Sequence, residues 1–223
     1  MTQVIQHLYL IPMFISAILS LKAFRLSSFA PYKLFSILLF TALTTEILAN
    51  LWHYYLHDFN GWSYSKNNAW IYTISFIPQY VLFMLVYHRA LQSTRIKKVI
   101  VYTAVLFTLL VLINVLFIQK FYIINSNIHI LADCIMLFLA FAYFEELRRD
   151  KVIYKLSDQP MVWISLGSLV FHLLNIPFLL SINYLNRHFP AAAISFFYVY
   201  LLFIFVSYVL YSRAFLCKTP PQI

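Results

Sequence analysis

RIKKVIVYTAVLFTLLVLINVLFIQK, residues 95–120, places 21 uncharged residues between Lys98 and Lys120. A helix rises 1.5 Å per residue, so about 20 apolar residues cross the roughly 30 Å hydrocarbon layer of a bilayer. Inside that layer backbone groups must bond within the segment itself, which a helix does and an isolated strand does not. The stretch therefore predicts a transmembrane helix bounded by basic residues on both sides.

Working outward, the same pattern recurs on either side. The apolar runs are about 5–24, 32–56, 69–90, 98–119, 123–146, 160–182 and 190–215, separated by groups such as Lys22 and Arg25, Asp58-Phe59-Asn60-Gly61, Arg148-Arg149-Asp150-Lys151 and Asn186-Arg187-His188. The runs are long and continuous rather than alternating, which excludes a β-barrel. Composition agrees: 63% of the 223 residues are hydrophobic and 10% charged, against about 45–50% and 25% in a soluble domain. The fold expected is an all-α membrane protein, one domain over 1–223 of seven transmembrane helices. No length remains for a separate soluble module, so any kinase, catalytic or nucleic-acid-binding domain belongs to another chain.

Basic residues set the orientation. Lys22, Arg25, Lys33, Arg89, Arg95, Lys97, Lys98, Arg148, Arg149, Lys151, Lys155, Arg213 and Lys218 fall on one side, and only Lys66, Lys120 and Arg187 on the other. Positive loops stay in the cytoplasm during insertion, so the N-terminus is expected outside and the C-terminus inside, in a bacterial inner (cytoplasmic) membrane. The net charge of +9 then meets anionic headgroups. These charges are spread over short segments, which argues against nucleic acid as a partner. Glu145 and Glu146 are expected to form local ion pairs with Arg148 and Arg149 at a solvated helix end. The N-terminus lacks the basic region of a secretory signal, so the first run reads as a retained helix. Cys134 reads as a small core residue and Cys217 as a membrane-proximal thiol.

Polar residues inside the runs point to a site. Glu46, Gln79, Asp133 and His172 fall near the membrane midplane, where a carboxylate costs about 2.5–3.5 kcal/mol on insertion scales. Glu46, Asn50, His53 and His57 recur at i, i+4, i+7 and i+11, one stripe of a helix. Asn125, His129 and Asp133 are spaced by four, and Ser165, Ser168, His172 and Asn175 share a face. Tyr72, Ser75 and Gln79 lie beside Pro78, and Asn114 lies in the outer half of its run. The sequence thus predicts an intramembrane pocket open to the outside, with Glu46, Asn50, Gln79, Asn114, His129, Asp133, His172 and Asn175 as ligand-binding residues. Pro78 and Pro177 are positions where helix carbonyls are freed and helices part. The opposing reading is interhelical hydrogen bonding, at about 0.6 kcal/mol per bond. It suits the Asn, Ser and Gln residues taken singly better than it suits two carboxylates. His53 and His57, one turn apart, with His129 would form a candidate zinc site. Tyrosine and phenylalanine read as interfacial belts and packing, and the loop 58–68 as a lid.

Several functions are excluded or weakened. Retinal needs a buried lysine, and every lysine here lies at a helix end or in a loop. The His-x-x-x-His pair of intramembrane hydrolases stands in the second helix rather than the last. Pro78-Gln79 occurs once, without the three-plus-three repeat of small sugar carriers. The stretches Ile113-Asn114-Val-Leu-Phe-Ile-Gln119 and Gln159-Pro-Met-Val-Trp-Ile-Ser-Leu-Gly167 resemble a family of small seven-helix membrane proteins of Bacteroidetes, to which no activity is assigned. The resemblance spans the second helix to the last, and it implies company with sensor histidine kinases. The leading expectation is a receptor-like sensor, not an enzyme, that relays to a separate cytoplasmic partner. The alternatives are a small-solute or proton-coupled transporter and an intramembrane lipid-modifying enzyme.

Overall fold

The computed structural model of the chain describes residues 7–26, 29–56, 67–118, 126–149 and 156–217. Among the described residues every regular element is helical. The helices are α1 (Leu10–Leu26), α2 (Ala30–Leu51, continued by a π-helical turn Trp52–Leu56), α3 (Ala69–Ala90), α4 (Thr94–Ile113, continued by a π-helical turn Asn114–Ile118), α5 (Ser126–Arg149), α6 (Pro160–His188) and α7 (Pro190–Leu216). Six of them, α2 to α7, are long and apolar enough to cross a membrane; α1 is a shorter apolar helix. The chain is a multi-pass helical membrane protein.

Helix starts follow local chemistry. Pro31, Pro160 and Pro190 stand in the first turns of α2, α6 and α7, where the missing N–H has no intrahelical partner to lose. Ser93 caps α4 by accepting from the Ile96 amide. Pro78 and Pro177 lie inside α3 and α6, which continue through them. The α6 helix runs to His188, past the apolar limit near 182, because hydropathy marks the membrane layer and not the end of backbone hydrogen bonding.

Packing makes a ring. The α6 helix packs most extensively on α7, α7 on α1, α1 on α2, α2 on α3, and α3 and α6 each on α5. Helix α4 stands outside the ring against α3 and turns Tyr102, Leu116, Phe117 and Ile118 outward, with Phe117 80% exposed. Cys134 is exposed as well, which corrects its reading as a core residue: one position beyond Asp133, it points out of the ring as Asp133 points in.

The basic end of the ring is closed by an aromatic layer. Phe35 packs at 5.0 Å from Tyr211, 5.9 Å from Phe83 and 6.0 Å from Phe215 between ring centroids. The Tyr32 hydroxyl donates to the Ala214 carbonyl at 2.6 Å, joining the start of α2 to the end of α7. Gly167 lets α6 approach α7 closely, since a Cβ there would lie 2.5 Å from the Tyr211 ring. At the same end Glu146 departs from the expected local ion pair. Its Oε1 accepts the backbone N–H groups of Gln92 and Ser93 at 2.7 and 3.0 Å, tying α5 to the α3–α4 turn. Only Glu145 pairs with Arg148 and Arg149, at 2.8 Å each.

Candidate functional site

A cavity of about 690 Å³ runs inside the ring, within the 300–1,000 Å³ typical of small-molecule sites. Its exposed lining residues, His53 and Tyr54, lie at the end where α2 finishes and α3 begins. Its deepest, Phe35 and Tyr211, belong to the aromatic layer at the basic end. Six helices contribute to the wall and α4 contributes none. On α7 the wall is Phe197, Tyr200, Leu201, Ile204, Tyr208 and Tyr211, one face at helical spacing.

Of the residues expected at a pocket, Glu46, Asn50, Gln79, His129, His172 and Asn175 line this one cavity, and so do Tyr72 and Ser75. Asp133 sits behind the wall, 0% exposed. Asn114 is buried on α4 and away from the cavity, because that helix lies outside the ring. Asn125 and the lid segment up to Lys66 lie outside the described residues, although Asn68 at that segment's end lines the cavity and donates to the Ala49 carbonyl.

Two polar knots flank the space. In the first, Tyr9 of the N-terminal turn before α1 and Tyr72 of α3 both donate their hydroxyls to Glu46 Oε2, at 2.9 and 3.1 Å. Asn50, one turn on, folds back onto the Glu46 carbonyl, and Gln79 donates to Thr45. In the second, Asp133 accepts from Tyr80 at 2.9 Å and from Asn175 at 2.7 Å, and shares a 2.6 Å contact with His172 Nδ1. Three hydrogen-bonding groups thus converge on one enclosed carboxylate, as a buried acid requires. The other ring nitrogen, Nε2, is buried without a partner. Phe171, Tyr80 and Phe83 surround that ring at 5.0, 6.1 and 5.8 Å between centroids.

The chemistry available is narrow. An imidazole oriented by a carboxylate can hold a proton or accept a hydrogen bond. Among the described residues no Ser, Thr or Cys hydrogen-bonds Nε2, so no nucleophile is activated there. The Ser75 hydroxyl is spent on the Ile71 and Tyr72 carbonyls. His53 and His129 line the same cavity, with His129 against Phe76 at 4.0 Å. His57 lies outside the described residues, and among the described residues no three His, Cys, Asp or Glu come together as metal ligands do.

The residues that composition concealed are tyrosines. Tyr9, Tyr54, Tyr80, Tyr200, Tyr208 and Tyr211 all line the cavity, where the sequence assigned tyrosines to belts and packing. The signal was present as helical spacing with the polar stripes: Tyr72, Phe76, Tyr80 and Phe83 follow the Gln79 face of α3, and Tyr200 to Tyr211 follow one face of α7. Comparison with models of protein families, with curated proteins and with solved structures finds no match to this chain.

Proposed function

We propose that the chain is a receptor-like sensor of the bacterial cytoplasmic membrane. In this reading all seven helices span the bilayer, the N-terminus faces outward, and a small ligand enters the cavity from outside. The observation that carries it is the lining of the cavity, whose exposed residues His53 and Tyr54 lie at one end while buried Phe35 and Tyr211 form a floor at the other. A carrier must open that floor, whereas a sensor needs only to bias the packing around it. Helix α5 supplies a route for the bias. It holds Asp133 behind the cavity wall and Glu146 at the α3–α4 turn, 13 residues and about 20 Å apart along one rigid helix. Arg89, Arg95, Lys97, Lys98, Arg148, Arg149 and Arg213 gather at that end. There they meet anionic headgroups and a separate signalling protein such as a histidine kinase, in keeping with the resemblance to the Bacteroidetes seven-helix family.

The test places an environment-sensitive fluorophore on Gln92→Cys, in a chain carrying Cys134→Ser and Cys217→Ser, within lipid nanodiscs. Compounds that raise the melting temperature by binding the cavity should also change emission at position 92. Binding that leaves the reporter silent rejects the sensor. A second reading, a proton-coupled carrier, draws on the buried, unpartnered His172 Nε2 beside Asp133. It requires that an imposed solute gradient acidify or alkalinise the lumen of proteoliposomes, which a sensor does not do.

A further inference from the structure

The groups around the cavity that still lack partners specify the charge of what enters. Among the described residues its lining includes no Lys and no Arg. Among the described residues Glu46 is hydrogen-bonded by neutral phenols alone, with the imidazole of His7 near it in the same cavity; Arg148 and Arg149 pair with Glu145 at the far end of α5. Both phenols bond Glu46 Oε2, so Oε1 accepts from no described residue. The Nε2 of His172, a residue 3% exposed, is buried and has no hydrogen-bond partner. A half-buried carboxylate with no Lys or Arg beside it is costly, and its second oxygen, which accepts from no described residue, calls for a cationic donor. The rest of the wall is aromatic: Tyr200 stacks on Phe178 at 4.0 Å and 6°, with Phe76, Phe83 and Phe171 across the space. Ring faces attract cations within about 6 Å and offer nothing to an anion.

From this we infer that the cavity binds an organic ammonium ion, a protonated amine carrying an apolar or aromatic body. The ammonium sits at Glu46, donating to the oxygen that the two phenols leave open. The body lies along the Phe and Tyr residues of α3 and α7. The hydroxyls of Tyr200, Tyr208 and Tyr211 hydrogen-bond no described residue and supply adjustable polar contacts along its length. This inference rests on the reading of the cavity as a ligand site and adds the ligand's chemical class.

The test uses the full chain in nanodiscs and three matched sets of probes with phenylethyl, naphthylethyl or octyl bodies. Each body ends in an ammonium, a hydroxyl or a carboxylate, and affinities are titrated at one ionic strength and pH 7. The expected result is that, for any body that binds, the ammonium binds at least tenfold tighter than its alcohol, with the carboxylate weakest. Glu46→Gln should erase most of that tenfold preference. Equal binding of ammonium and alcohol, or tighter binding of the carboxylate, overturns the ammonium assignment while the cavity stands as a ligand site. Failure of all nine probes to bind overturns both. The preference is read on the unmodified chain, so a Glu46→Gln protein that fails to fold does not decide the matter.

Discussion

Asp133 of α5 and His172 of α6 meet at 2.6 Å through Nδ1, with the carboxylate wholly enclosed. Tyr80 and Asn175 complete its set of donors, so the knot joins three helices at one point. Glu46 is built differently. It is half-buried, lines the cavity, and takes two phenols on one oxygen, while the other accepts from no described residue.

That difference predicts opposite outcomes for two near-isosteric substitutions. Asp133→Asn turns one acceptor oxygen into a donor among three donors, leaving at least one buried group unpaired, at about 2–4 kcal/mol. Thermal unfolding in detergent should show a fall of several degrees. Glu46→Gln keeps an acceptor for Tyr9 and Tyr72 and should hold stability within about 0.5 kcal/mol. Equal losses in the two variants would make Glu46 structural too and remove the support for a ligand there.

Gly167 predicts a packing defect. An added Cβ meets Tyr211 Cε1 at 2.5 Å and the Ser207 carbonyl oxygen at 3.0 Å, and the Tyr211 ring is pinned by Phe35 and Tyr208. Gly167→Ala should cost about 1–3 kcal/mol, the usual penalty of overpacking. Combining it with Tyr211→Leu should recover part of the loss, which a double-mutant cycle of melting temperatures reads directly.

Two adjacent glutamates should differ in kind. Glu146→Ala strips the acceptor from the Gln92 and Ser93 amides and should destabilise by about 1–3 kcal/mol. Amide exchange at those two residues should accelerate. Glu145→Ala removes only exposed ion pairs with Arg148 and Arg149, worth little in water, and should leave both the melting point and the exchange unchanged.

Cys217 follows α7, where its sulfur contacts the Ser157 and Arg213 carbonyls at 3.5 Å. Burial pushes its thiol above the usual value of 9.0, so the protonated form dominates at neutral pH and the reactive thiolate is a minor fraction there that grows with pH. In a Cys134→Ser protein, labelling by a water-soluble maleimide should be slow at pH 7 and climb with each unit through pH 9. A rate already at its plateau by pH 8 contradicts this.

Much of the architecture was legible because hydropathy and helix are coupled in a bilayer. The run at 69–90 is helix Ala69–Ala90, and that at 190–215 is Pro190–Leu216. The spacing of Glu46, Asn50 and His53 placed all three on the cavity wall. What periodicity does not carry is the neighbour of each face. Asn114 has the composition of a pocket residue, but its helix stands outside the ring. Cys134 is small and mid-helix, yet its direction follows from Asp133 beside it. Tyrosine is ambiguous in a membrane sequence, because the hydroxyl that anchors at an interface also serves a carboxylate inside. Tyr72 stood on a polar face with Ser75 and Gln79, but only contact with Glu46 and Asp133 distinguished Tyr9 and Tyr80 from belt residues.

The two knots also impose an order on biogenesis. Glu46 draws its donors from the turn before α1 and from α3, so helices α1 to α3 suffice to supply both. Asp133 takes two of its three partners from α6, the next helix to emerge. A nascent chain halted after α5 holds a carboxylate in lipid with Tyr80 alone. The Asp133 knot is therefore complete only once α5 and α6 stand side by side in the bilayer.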